Sequence, residues 1–216
     1  YRKTVMAPED LDACRVVFGE ADMFPGLTVD KFHDHLSVQV LSVGMESVKG
    51  LLLPGLVRIL REDGQAVRGV FERNDAALRE KEGLSQYKGW FPLPGEEPPA
   101  SPVTEITENG IKYLVDVENG QKTGFFLDQK YNRRAVARLA KGKTVLDCFT
   151  HTGSFALNAA LGGAKHVTAV DVSASAVEMV QANAERNGLG SVVDGVTANV
   201  FELLPALEQE PVKYDF

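Results

Sequence analysis

The chain is poor in the residues that build metal centres and disulfide frameworks. It has two cysteines, Cys14 and Cys148, and four histidines among 216 residues. The cysteines stand far apart with no C-x-x-C pair, and His33, His35, His151 and His166 have no metal-ligand spacing. Neither a disulfide scaffold nor a zinc site is indicated. No apolar run is long enough to span a bilayer and no signal peptide is evident, so no membrane is expected. Internal repeats are absent, as are low-complexity tracts other than one Pro/Glu stretch. A net charge of -7 argues against a wholly polybasic surface and suits a cytoplasmic protein, with local patches left open. What is there is an ordinary globular composition, 44% hydrophobic and 25% charged, long enough for one large domain or two small ones. The chain begins at Tyr1 without Met and ends in KYDF, where a strand opens, so it is expected to be a piece of a longer protein.

HLSVQVLSV (35–43) places apolar residues alternately at Leu36, Val38 and Val40, a strand pattern. A helical stretch from Glu46 to Leu60 follows, interrupted at Pro54-Gly55, and AVRGVFER (66–73) is a second strand candidate. Cys14 sits in a helix-like stretch and is expected to be structural. Residues 92–102, PLPGEEPPASP, carry five prolines and two glutamates and predict an extended, unpacked loop or linker. VTEIT and IKYLVDV about the turn ENG form a hairpin. From Lys143 strands alternate with helices: strand 144–149, helix 153–161, strand 166–170 ending at Asp171, a helix running to Asn187-Gly188, strand 192–198, helix 200–209 and a fourth strand beginning at 213. Ser175 with Glu178 is the expected capping box of the second helix, with Ser173 the alternative. The fold class is therefore α/β. An N-terminal α+β domain (1–100) and a hairpin with its connecting segment (101–127) precede the first half of a Rossmann-like sheet (128–216), with strands 1–3 and the start of strand 4.

In a parallel sheet of this kind ligands sit beyond the carboxyl ends of the strands. DCFTHTGS (147–154) closes the first strand and Asp171 the second. A dinucleotide fingerprint needs G-x-G-x-x-G there so that backbone can approach a pyrophosphate. This loop has one glycine, Gly153, and opens on an acid that would repel a pyrophosphate. Such an acid suits a ligand with a cationic end, and Asp171 is placed to accept from ribose hydroxyls. Together they point to S-adenosylmethionine (SAM). The bland alternative is a generic βαβ unit whose loop acids cap helices.

TGFFLDQKYNRR, VLDCFTHTGSFALNAALGGA, VTAVDVSASAVEMVQANAERNGL and NVFELL resemble the class I methyltransferases that modify 23S rRNA at cytosine C5. GEADMFPGLTVDKF (19–32) and FERNDAALREKEGL (71–84) resemble the domain preceding the methyltransferase domain in that family, so the likeness covers nearly the whole chain. It implies SAM as cofactor and 23S rRNA as partner. It places Asp147, Phe149, Thr150, Thr152 and Gly153 in the SAM loop, Asp171 on the ribose with Val172 and Ser173 beside it, and Asn199 and Phe201 near the adenine, with Phe126 and Asp128 facing the same pocket. Asn199 departs from the Asp usual there. The family's PUA-type domain, its Asp-Pro-Pro-x-Phe motif and its nucleophilic cysteine have no counterpart here, so no catalytic residue is expected in these residues and the piece is expected to be inactive alone. Cys148, at the end of a buried strand, is expected to be structural. A 23S rRNA guanine-N7 methyltransferase, which shares G-[FL]-F-L-D and needs no cysteine, and a non-catalytic SAM- or RNA-binding module are the alternatives.

The stretch GQKTGFFLDQKYNRR begins a local excess of positive charge: Gln121 to Lys143 hold seven basic residues and one acid, Asp128. With Asp128 as cap, a helix to about Ala140 sets Leu127, Tyr131, Ala135 and Leu139 on one face and Lys130, Arg134, Arg138 and Lys141 on another. Charge runs are usually solvated faces. Here no acids interleave to pair with the bases, and a one-signed stripe on an acidic protein predicts an anionic partner such as an RNA backbone. Lys130, Arg133, Arg134 and Arg138 are the RNA-contact candidates. Phe125 and Phe126 are a stacking platform for a splayed base, a wall of the cofactor site or core. A homodimer is left open.

Overall fold

The structure, a computed structural model, describes residues 2–211 and 213–216. The chain forms two compact units, one of residues up to Ile106 with Leu114–Leu127, the other of Thr107–Tyr113 with Asp128–Phe216. This division also cuts between 127 and 128, but not at 100: residues 101–106 and 114–127 go with the first unit and 107–113 with the second. The hairpin of β6 (Val103–Glu108) and β7 (Ile111–Asp116) is shared, its base belonging to the first unit and its turn to the second.

The first unit contains α1 (Arg2–Val5), β1 (Ala13–Phe18), β2 (Leu27–Phe32), β3 (His35–Val40), α2 (Val43–Glu62), β4 (Gly69–Asn74), α3 (Leu78–Lys81) and β5 (Tyr87–Trp90). Among the described residues its five strands lie in the order β1-β2-β3-β4-β5. Only β3 and β4 run parallel, and α2 is the crossover between them. Leu36, Val38 and Val40 are buried as their alternation predicts, against Leu53, Val57 and Leu60 of α2. Cys14 is buried in β1 and not in a helix. The helix α2 also continues through Pro54: burial of the residues on either side outweighs the lost backbone bond.

Three segments between the strands and helices are tied down. At Gly26 φ is +83°, and a Cβ would lie 2.6 Å from Ser42 Oγ, a conformation and a space open to glycine alone. The Ser42 hydroxyl donates to the Pro25 carbonyl (3.0 Å) and accepts from the Met45 amide (3.3 Å), so the 19–26 turn seats the N-terminus of α2. The Pro/Glu stretch is docked rather than free. Arg61 forks onto Glu96 (2.7 and 2.8 Å), and Pro99 with Trp90 fills the space beside Gly69. Residues 117–124 are tied down in the same way, with Arg73 donating to the Val117 and Gly120 carbonyls and Thr123 to Asp30, which Arg15 also holds.

The second unit contains α4 (Lys130–Leu139), β8 (Thr144–Cys148), α5 (Ser154–Leu161), β9 (His166–Asp171), α6 (Ala174–Arg186), β10 (Val193–Thr197) and α7 (Val200–Gln209). The strands form a parallel sheet in the order β10-β9-β8. Ser173, not Ser175, caps α6, its hydroxyl accepting from the Ala176 amide at 3.3 Å. Residues 213–216 are not assigned as a strand. Their backbone nevertheless runs beside β8, with Asp215 N donating to Thr144 O (2.7 Å) and Leu146 N to Phe216 O (3.0 Å).

The face that α4 turns inward is not the one its apolar residues mark. Tyr131 and Leu139 are 64% and 67% exposed, whereas Arg133 is fully buried. Its guanidinium forks onto the Glu108 carboxylate at 2.7 and 2.9 Å and lies 6.0 Å from the Phe155 ring. Burial holds the Glu108 carboxyl above the usual carboxylate range, against the pull of Arg133. Arg133→Met should therefore lose about 3–5 kcal/mol of stability in urea unfolding, because Glu108 is left buried without its partner. Arg133→Met with Glu108→Leu should recover most of that loss.

Candidate cofactor and nucleic-acid site

The carboxyl ends of β8, β9 and β10 meet the loop 149–153, the Asp171–Ser173 turn and the start of α7. The loop is built under strain. Phe149 (φ 60°) and His151 (φ 52°) are both left-handed, a conformation that costs a bulky residue on the order of 1 kcal/mol or more. It persists because its surroundings over-determine it. Thr150 N donates to Val170 O (2.9 Å), Thr150 Oγ1 to Asp147 Oδ2 (2.6 Å), and His151 N to Asp171 Oδ2 (2.9 Å). From α6 the buried Asn183 side chain donates to the Thr152 carbonyl (3.1 Å). Gly153 (φ +85°) closes the loop, and a Cβ there would press to 3.1 Å on Val180.

The two acids have different tasks. Asp147 lies beneath the loop, its Oδ2 accepting from Thr150 Oγ1 and from the Ala156 amide (3.0 Å). Burial, with a smaller contribution from the Asp171 charge, pushes its carboxyl up to about 6. It folds the loop in the way the bland reading of a capping acid describes. Asp171 ends β9 with both oxygens oriented by backbone, one by His151 N and the other by Ser173 N (3.0 Å). Each oxygen keeps acceptor capacity for a further donor.

Around Asp171 the surface is apolar. Phe149 and Phe201 are 61% and 76% exposed with ring centroids 5.7 Å apart, and Val172 is 75% exposed. Asn199 is the N-cap of α7: its Oδ1 accepts from Phe201 N (3.1 Å) and its Nδ2 donates to Glu202 (3.0 Å), an engagement sequence reasoning did not foresee. Burial holds the His151 imidazole below its usual range, which keeps it neutral, and pushes the Cys148 thiol up, which keeps it protonated and unreactive. Among the described residues no group of three or more His, Cys, Asp or Glu is placed to hold a metal, and no helix is long and apolar enough to cross a membrane.

The structure separates the remaining candidates. Asp128 does not cap α4: it is exposed in a 3-10 turn, its carboxylate accepting from Gln129, and Gln129 takes the cap position. Phe125 is buried, so it is core rather than a stacking platform, and Phe126 is half-buried, both within the first unit. Arg133, buried on Glu108, is withdrawn from the RNA-contact set because nothing anionic outside can reach it. Arg134, Arg138 and Lys141 are exposed and Lys130 is half-buried; Arg134 lies over the exposed Tyr131 ring at 5.4 Å. Four residues that bear on the site were missed from sequence: Glu108, Tyr113, Asn158 and Asn183. The one local signal was a buried-looking asparagine in the alanine-rich FALNAALGG.

A parallel sheet carrying at its carboxyl edge an acid-floored loop, a backbone-oriented aspartate and exposed aromatics is a nucleotide-cofactor fold without a pyrophosphate cradle. The chain belongs to the S-adenosylmethionine-dependent methyltransferase family, whose profile matches residues 93–204. It is 42% identical over 99% of its length to the Ribosomal RNA large subunit methyltransferase I of Aliivibrio fischeri, covering 52% of that protein. The chain thus spans about half the length of the curated relatives it matches. Two solved structures align over 99% of the chain with TM-score 0.80 and 26% identity. One is a Streptococcus mutans protein described as a SAM-dependent methyltransferase, 53% of it covered. The other is described as a methyltransferase complexed with SAH, 52% of it covered.

The raised Asp147 carboxyl sets a pH dependence. Its folded value, about 6, lies above the ordinary 3.8, so the native state holds the proton more tightly and ionisation costs stability. Stability should fall as pH rises from about 4 to 6 and stay level above, by roughly 3 kcal/mol at most for a shift of this size. Asp147→Asn, which still accepts from Thr150 and Ala156, should flatten that slope in denaturant unfolding curves taken across the same range.

Proposed function

We propose that this chain is the cofactor-binding part of an rRNA methyltransferase acting on 23S rRNA in the cytoplasm, with cytosine C5 as the methylated carbon. The observation that carries the reading is the strand-end constellation of Asp171, Phe149, Phe201 and Val172 over the loop that Gly153 closes. Its chemistry fits SAM. A carboxylate held by two backbone amides accepts the paired hydroxyls of a ribose, and exposed aromatic and branched side chains cover a purine face. Thr150, Thr152 and Gly153 supply backbone to the same loop, Ser173 fixes Asp171, and Asn199 sets the start of α7 and with it Phe201. Asp147 holds the loop from below. Bound there, the cofactor would supply an electrophilic methyl group, and the protein's residues would orient it.

The assignment to ribosomal RNA is supported by the Aliivibrio fischeri relative, named for the large subunit RNA, and by the exposed basic face of α4. Arg134, Arg138 and Lys141 present one sign of charge with Tyr131 beside them, a surface suited to phosphates with a base-stacking ring. The cytosine-C5 target is supported by the resemblance in TGFFLDQKYNRR and VLDCFTHTGSFALNAALGGA. Burial pushes the half-buried Cys148 thiol up, which disfavours the thiolate that attack on cytosine C6 requires.

Chromosomal Asp171→Ala should remove a 5-methylcytidine from 23S rRNA, read by nucleoside mass spectrometry. Retention of that mark would displace Asp171 from the site, and loss of 7-methylguanosine instead would move the target to guanine. Arg134→Glu with Arg138→Glu should weaken binding to a 23S rRNA fragment in fluorescence anisotropy and reduce the slope of log K against log salt by roughly 2. An unchanged slope would make that face merely solvated.

A further inference from the structure

Asn158 stands in the middle of α5, in the run Ala156–Ala160 whose five residues are all buried. A carboxamide buried there costs free energy unless each of its atoms is partnered, and an aliphatic side chain would fill the space without that cost. Asn158 Nδ2 donates to the Tyr113 hydroxyl and to the Ser154 carbonyl, both at 2.8 Å, and its Oδ1 accepts from Asn109 Nδ2 at 3.3 Å. The Tyr113 hydroxyl is itself 3.4 Å from the Ser154 carbonyl. Asn109 comes from the hairpin turn and Tyr113 from β7, and Ser154 follows Gly153 directly, so the network meets the cofactor loop at its exit.

The same hairpin reaches the loop by a second route. Asn187, at the end of α6, grips the Lys112 backbone like a paired strand, accepting from its amide (2.9 Å) and donating to its carbonyl (2.7 Å). One helical turn earlier, Asn183 holds the Thr152 carbonyl. Residues 152–154 are therefore fixed from α5 and from α6, and both helices are pinned to residues 109–113. Buried polar networks of this kind select one geometry among several that apolar packing would tolerate.

We propose that Tyr113 and Asn158 are positioning residues for the cofactor loop: their phenol–carboxamide bond sets the backbone of Thr152–Ser154 and through it the affinity for the cofactor. This rests on the cofactor reading of that loop.

Calorimetric titration with S-adenosylhomocysteine, alongside thermal unfolding, tests it on the wild-type chain, Tyr113→Phe, and Tyr113→Phe with Asn158→Leu. The single variant strands a donor of Asn158 and should lower both stability and affinity. The double variant removes the stranded amide and should regain the unfolding midpoint, while its affinity stays about five- to tenfold below wild type, the worth of one hydrogen bond. A double variant with both stability and affinity restored would reduce the network to core packing and overturn the proposal. Should the double variant fail to fold, Asn109→Gly keeps the positive φ of the turn (55°) and removes the amide's bonds to Asn158 and to the Lys130 carbonyl (3.1 Å). Weaker binding at an unchanged midpoint then supports the proposal, and unchanged binding overturns it. A wild-type chain that takes up no S-adenosylhomocysteine overturns the cofactor reading itself, and this proposal with it.

Discussion

The second unit depends on a buried ion pair. Glu108 and Arg133 are 25 residues apart in sequence, fully desolvated, and joined by two parallel hydrogen bonds. Desolvating both ions costs more than a single contact returns, and the bidentate geometry with the Phe155 ring beside it offsets that cost only in one arrangement. What the pair supplies is therefore register. It sets the rotation of α4, which decides the basic residues that face solvent. Were α4 rotated to bury Tyr131 and Leu139 instead, Arg133 would be exposed and Glu108 stranded.

A related economy governs the loop above β8 and β9. Two left-handed residues, Phe149 and His151, hold a conformation that neither prefers. The aspartates beneath and beside them make this tolerable, each accepting bonds from groups that the strained backbone turns toward it. Asp147 carries a cost of its own, since burial opposes its ionisation. The loop's shape is thus maintained against both backbone preference and electrostatics. Strain of this kind persists where geometry is needed for something other than stability. In exchange Phe149 is turned outward toward Phe201, which places two large apolar rings in water beside an oriented carboxylate.

Much of this was legible in the chain. Alternating strands and helices after Lys143, one glycine where a dinucleotide loop needs three, and an acid at each of two strand ends reach the correct fold class and cofactor family, because each is a local pattern with a local cause. The errors share a different cause. Arg133 reads as an RNA contact because it stands in a run of bases, and its partner lies in a hairpin that the run does not contain. Pro54 was expected to break a helix because propensity does not register the burial of Leu53 and Val57. The Pro/Glu stretch was expected to be free, since nothing local reveals that Gly69 leaves room for Pro99. Asn158 was passed over for the same reason, its three partners being 4, 45 and 49 positions away.

The charge anomaly resolves along the same line. The helix that carries a local excess of bases does not expose all of them. One arginine, Arg133, is spent inside to hold the helix, and the adjacent Arg134 is left outside over the Tyr131 ring. Adjacent positions on a helix point about 100° apart, so fixing the first fixes where the second points. The internal ion pair and the outward stripe are consequently not separable features. A change that released Arg133 from Glu108 would scatter the stripe even with every exposed base intact, and an anionic partner would lose a surface whose residues were all still present.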